Sequence, residues 1–171
     1  MKNHIPIVFV SLLLISLGSC LKKQDFPNEP QLEYVGFTKA IPISATDSIG
    51  VVHMTFTDGD GNIGLNISDS TGRFHIDSFY NSNLFIFPYK KIDGVFEPAF
   101  VNLANHVRIS PRLSESDDPI EGDIDANVLY PARTAIDVSD TVILRWEIYL
   151  VDRELNHSNV IITPEFMYEW P

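Results

Sequence analysis

Cysteine is almost absent. Cys20 stands alone in 171 residues, so no internal disulfide can staple the fold, and a mature chain of about 150 residues buries roughly two-thirds of its unfolded surface without one. Positive charge is scarce as well. Twelve Lys and Arg face 23 Asp and Glu, a net charge of −11, and no basic stripe occurs. Such a surface repels phosphate backbones and anionic headgroups, which argues against nucleic-acid binding and against membrane attachment by charge. Beyond the first twenty residues no apolar run is long enough to span a bilayer. Sequence devices of catalysis are missing too. There is no nucleophile elbow, phosphate loop or zinc helix, and His4, His53, His75, His106 and His157 are scattered without metal-ligand spacing. His53 reads as a solvated residue on the outer face of a strand. What remains for an enzyme is a carboxylate pair drawn from Asp117, Asp118, Glu121, Asp123 and Asp125, and acidic runs usually mean hydrated surface.

What is present begins with the leader. Met1 to His4 is a short basic start, and Ile5 to Leu17 is apolar apart from Pro6, Ser11 and Ser16. The run closes on Leu17-Gly18-Ser19-Cys20, an aliphatic residue, two small residues and a cysteine, which resembles the lipobox of bacterial lipoproteins. Residues 1–19 are therefore expected to be a signal peptide, and Cys20 the lipid-bearing mature N-terminus. Each buried methylene contributes about 0.8 kcal/mol, so two or three acyl chains anchor a protein stably without a transmembrane helix. Leu21, where an Asp would retain a lipoprotein in the inner membrane, favours the outer membrane, on its periplasmic face or at the cell surface. The charged, Pro-bearing stretch completing residues 20–31 reads as a flexible tether.

Residues 32–171 show no helical stripe but many short runs of period two. Val52, Met54 and Phe56 alternate with His53, Thr55 and Thr57, and Val142, Leu144, Trp146, Ile148 and Leu150 alternate with Ile143, Arg145, Glu147 and Tyr149. Leu84 to Lys90 alternates likewise and leads into Ile92-Asp93-Gly94-Val95, whose Asp-Gly core favours a two-residue hairpin turn. Glu33 to Ala40, Val95 to Val101, Val107 to Ile109 and Val160 to Thr163 complete the set. About seven or eight short antiparallel strands separated by turn residues predict an all-β sandwich. Pro88 and Pro98 inside two of them place that hairpin at a sheet edge. Ser114 to Ala126, acidic and bearing Pro and Gly, reads as a long exposed connection. Alternation assigns most of Phe85, Phe87, Tyr89, Phe96, Phe100, Trp146 and Tyr149 to the core rather than to a glycan-stacking platform, leaving Tyr80, Tyr149 and Trp170 as the better candidates for exposed rings.

The segment Phe56-Thr57-Asp58-Gly59-Asp60-Gly61-Asn62-Ile63-Gly64 spaces three oxygen side chains between glycines. Asp58, Asp60 and Asn62 match positions one, three and five of a twelve-residue calcium loop, with Asp69 at position twelve. Ile63 stands where that loop needs glycine, Asp69 is a weaker closing ligand than Glu, and no flanking helices are evident, so an EF-hand is excluded. Another kind of calcium loop and an ordinary β-turn both remain open. A second polar loop, Asp152-Arg153-Glu154-Leu155-Asn156, lies between two strands and looks like the final hairpin of many bacterial immunoglobulin-like domains. In such a fold the two loops share one end of the sandwich. Asp58, Asp60 and Asn62 would then face Asp152, Glu154 and Asn156, with Ca²⁺ as the natural neutraliser and Arg153 as the competing one.

These two elements, Phe-x-Asp-x-Asp-Gly-(Asp/Asn)-Ile-Gly at Phe56 to Gly64 and Asp-Arg-x-x-Asn-x-Ser-Asn at Asp152 to Asn159, resemble those of a group of Bacteroidota lipoproteins with an immunoglobulin-like β-sandwich. The resemblance covers most of the mature chain and implies fold and location, but no activity. The expected function is therefore non-catalytic: an anchored sandwich binding Ca²⁺ and an envelope protein or a glycan. A metal-free structural subunit of an envelope complex is the rival, and a carboxylate-based hydrolase a third reading.

Overall fold

Period-two alternation builds two antiparallel sheets that bury their aliphatic faces against each other. The computed structural model describes residues 25–40, 48–99, 106–111, 118–129 and 139–169. The expected signal peptide (1–19) and lipidated Cys20 lie outside the described residues, as do Phe100, Asp117 and Trp170. Nine strands form among those described: β1 (Gln31–Lys39), β2 (Ser48–Asp58), β3 (Leu84–Ile92), β4 (Val95–Pro98), β5 (His106–Val107), β6 (Ile120–Leu129), β7 (Thr141–Leu150), β8 (Ile161–Ile162) and β9 (Phe166–Glu169). One sheet runs β1-β2-β6, and the other β4-β3-β7-β8, with β5 on β3 and β9 on β7. The predicted all-β sandwich is the fold observed. Inward side chains such as Val52, Met54, Val128, Leu144 and Ile148 are almost fully buried, and Trp146 at the centre, 1% exposed, stacks on Phe37 at 5.5 Å.

The Asp-Gly hairpin forms as expected. Ile92 pairs with Val95, and Asp93 (φ 49°) and Gly94 (φ 84°) both take the left-handed conformation of the primed turns that match strand twist. The edge assignment holds for β4 only, because β3 lies between β4 and β7. Pro88 is tolerated there because its carbonyl, and hence its nitrogen, faces β4, accepting from Ala99 N–H just past the end of that strand, so no bond to β7 is lost.

The largest correction is β6. Part of the stretch read as an exposed acidic connection pairs with β2 over nearly its whole length, from Ser48↔Leu129 to Asp58↔Ile120. Glu121, Asp123 and Asp125 all point outward, while the inward set Ile120, Gly122, Ile124, Ala126 and Val128 includes two small residues that weaken the apolar signal. A Cβ at Gly122 would lie 3.0 Å from the Phe56 ring, which would have to shift by a few tenths of an ångström to admit it. β9 was also not foreseen. The aromatics divide differently from expectation: Leu84 and Ile86 turn into the sandwich, so Phe85, Phe87 and Tyr89 turn to the outer face of the second sheet. Phe85 is buried there under Phe79 and beside Tyr149, with ring centroids 4.7 and 5.0 Å away. Tyr80 and Tyr149 are half-buried.

One side chain from the segment between β7 and β8 hydrogen-bonds the free edge of β1. Asn159 Oδ1 accepts from Leu32 N–H at 2.8 Å and its Nδ2 donates to Leu32 O at 2.9 Å, as a neighbouring strand would. Asn159→Ala orphans both backbone groups, and a loss of about 1–3 kcal/mol is expected in urea denaturation. A loss under about 0.5 kcal/mol would mean that water replaces the side chain.

Candidate metal centre

Two strands deliver their acids to one place by continuing their own alternation. The inward residues of β2 are Val52, Met54 and Phe56, and the next of that parity is Asp58. On β7 the inward series Ile148, Leu150 runs on to Asp152. Both carboxylates therefore enter the end of the core, Asp58 fully buried and Asp152 1% exposed. Asp60, half-buried in the turn after β2, joins them, and one carboxylate oxygen from each of the three lies within 4.8 Å of the others. The expectation that the loop after β2 and the loop after β7 meet at a common tip is realised.

Local hydrogen bonds shape both loops. Asp58 Oδ2 accepts from Ile63 N–H at 3.3 Å, and Asp60 Oδ1 from Asn62 N–H at 3.4 Å. Gly59 permits close approach of the preceding segment: its N–H donates to Pro27 O at 2.8 Å, and a Cβ would stand 2.3 Å from Phe26 O. The end of the stretch read as a flexible tether is thus packed against the acidic loop. Gly64, at φ 101°, lies against the backbone of Pro111. Across the tip, Asp152 Oδ1 accepts from the N–H groups of Glu154 and Asn156, each at 2.8 Å, and Oδ2 from Asn156 Nδ2 at 2.8 Å.

Two oxygens are left over. Asp58 Oδ1 and Asn62 Oδ1 are enclosed without a hydrogen-bond partner, a costly state for a buried acceptor. Burial pushes the Asp58 carboxyl up to about 6, the charge of Asp60 adding to it and that of Asp152 following, while the Ile63 and Asn62 N–H groups pull the other way. An all-oxygen, acidic, part-desolvated cluster suits a hard divalent cation better than a soft one.

Of the seven expected ligands, Asp58, Asp60 and Asp152 converge, and Asn62 belongs to the same turn. The other three have different places. Asp69 is drawn off: its carboxylate accepts from Asn66 N–H at 2.7 Å and pairs with Arg153 at 2.9 Å. Arg153, the competing neutraliser, is thereby engaged at Asp69. Glu154 is exposed, and Asn156 orients Asp152 by donating to it. Sequence reading missed Arg108, which braces the same region by donating to the carbonyls of Asn66, Asp69 and Asn81. An arginine beside a two-residue strand carries no sequence signal of that role.

Compared with protein-family models, with curated proteins and with solved structures, the chain finds no match.

Proposed function

We propose that this chain is a lipid-anchored outer-membrane protein, akin to the Bacteroidota lipoproteins it resembles, whose sandwich tip holds Ca²⁺ as a structural cation. The cation organises loops that meet an envelope protein or a glycan, and the site itself does no catalysis. The observation that carries this is the convergence of Asp58, Asp60 and Asp152 at the buried end of the core, with Asp58 Oδ1 lacking any donor. Three carboxylates and the Asn62 amide offer enough oxygens to begin a six- to eight-fold shell, which backbone carbonyls or water complete. The lipobox at Leu17 to Cys20 supports the anchor.

A cation bound only by the folded state stabilises it by mass action. Free Ca²⁺ a hundredfold above Kd contributes about 2.7 kcal/mol, or roughly 5–10 °C in Tm for a domain of this size. Thermal melts with Ca²⁺ against EDTA should show that rise in the native chain and lose it in an Asp58→Ala/Asp60→Ala variant. No rise, or an equal rise in the variant, would refute the site. A second reading keeps the tip metal-free, as in a structural subunit of an envelope complex. It is favoured by the raised Asp58 pKa, since a proton taken up below about pH 6 also relieves the repulsion. Calorimetric titration with Ca²⁺ separates the two.

A further inference from the structure

Three strands of the first sheet set a hydroxyl, an imidazole and a carboxylate in a row on its outer face. Thr38 on β1, His53 on β2 and Asp125 on β6 meet through two short hydrogen bonds: Thr38 Oγ1 to His53 Nε2 at 2.7 Å, and His53 Nδ1 to Asp125 Oδ1 at 2.6 Å. The register explains the alignment. His53 pairs directly with Asp125, and β1 places Thr38 opposite Val51, two residues along β2 and on the same face as His53. A carboxylate can only accept, so in neutral His53 the ring proton lies on Nδ1, and the bare Nε2 accepts the Thr38 O–H. A nucleophile bonded to a base that a third group orients is the arrangement that activates hydroxyls in acyl transfer.

We propose that Thr38, His53 and Asp125 form a general-base relay that makes the Thr38 hydroxyl a nucleophile toward carboxylic esters. Oγ1 attacks the ester carbonyl carbon as its proton passes to His53 Nε2. The tetrahedral adduct collapses, the bond to the alkoxy oxygen breaks, and the leaving alcohol takes the proton from Nε2. Water, deprotonated by the same nitrogen, then hydrolyses the O-acyl threonine to a carboxylic acid and restores Thr38. Thr38 and His53 touch the reacting atoms, whereas Asp125 is a positioning residue. Thr38 is exposed, and the His53 and Asp125 side chains are 33% and 66% exposed. The open sheet face therefore admits an acyl group carried on a large molecule as readily as a small one. The relay lies on the opposite face of β2 from Asp58 and five residues before it, about 17 Å along the strand. It is independent of the cation site.

The probe is p-nitrophenyl acetate incubated with the full chain, read as p-nitrophenolate release and as acetylation located by peptide fragmentation. General-base assistance contributes about 10²–10⁴ in rate. Thr38 should therefore acetylate on the order of a hundredfold faster than the exposed Thr71 of the same molecule, giving an ester that hydroxylamine removes. Thr38→Val and His53→Ala should abolish that excess while melting normally, and added imidazole should restore part of it to His53→Ala. Asp125→Asn should lose most of the rate, and Asp125→Glu should recover some, with no matching change in Tm. Acetylation of Thr38 no faster than Thr71, modification confined to Lys39, or Thr38 acetylation unchanged in His53→Ala would each overturn the proposal and leave a cross-strand structural network.

Discussion

Asp152→Ala is expected to lower the unfolding free energy by about 2–4 kcal/mol in EDTA, because one buried carboxylate satisfies three donors at once. Its Oδ1 serves the N–H groups of Glu154 and Asn156, and its Oδ2 the Asn156 amide. Alanine leaves all three to find water in a loop where Leu155 already holds φ at 72°. One effect opposes the loss: with Asp152 gone, Asp58 is repelled less. Asp152 ranks behind burial and Asp60 among the causes that raise the Asp58 carboxyl, whereas three donors lose their acceptor, so the net change is expected to be destabilising. Chemical denaturation measures the net cost, and a loss under about 1 kcal/mol would show that the loop does not depend on this carboxylate. Because Asn156 spends its side chain on the same carboxylate, Asn156→Ala combined with Asp152→Ala should cost less than the sum of the two single changes. The Ca²⁺-dependent rise in Tm should vanish with Asp152 as well, which ties the loop's stability to the proposed cation.

The meeting of Asp58 with Asp152 was legible in the sequence because it needs only strand parity and a sandwich. Each acid is the next inward position after a clear apolar alternation, on β2 and on β7. The Asp-Gly turn at Asp93 was legible for a similar reason, since local backbone chemistry alone decides it. Other features depend on what lies across a sheet. Strand β6 was hidden because its outward side chains are acids and two of its inward ones, Gly122 and Ala126, are small. The Phe56 ring opposite Gly122 fills the space that a side chain there would take. Asp69 looked like the closing ligand of a linear calcium loop, but Arg153, 84 residues away in sequence, holds it in an ion pair. The same blindness applies to Thr38, His53 and Asp125. Read singly, Thr38 and His53 are ordinary outward strand residues and Asp125 belongs to a stretch that reads as a connection, and only the register between three strands brings them into one hydrogen-bonded row.

Asp58→Asn should make the protein more stable than the native chain without Ca²⁺ and less stable with it. A buried acid whose pKa rises from 3.8 to about 6 on folding binds more protons in the folded state than in the unfolded one between those values. Stability contributed by this group therefore falls as pH rises through the window, and the penalty is fully present above the folded pKa. At pH 7 this rise amounts to a penalty of about 3 kcal/mol. Lowering the pH of the EDTA-treated native protein from 7 to 5 should recover about 1 kcal/mol of it, visible as a rise in Tm on mild acidification. Asparagine carries no charge to desolvate or to repel Asp60 and Asp152, and its Oδ1 can still accept from Ile63 N–H. The variant should then keep most of that stability at pH 7 and lose the acid-side rise. With Ca²⁺ the order reverses, because the cation needs the ionised carboxylate and competes with the proton for it. Melting curves of the two proteins, with and without Ca²⁺ at pH 5 and pH 7, test both signs together. If Asp58→Asn were the less stable protein in EDTA at pH 7, Asp58 would already have a favourable partner, and the case for a cation at the tip would fall with it.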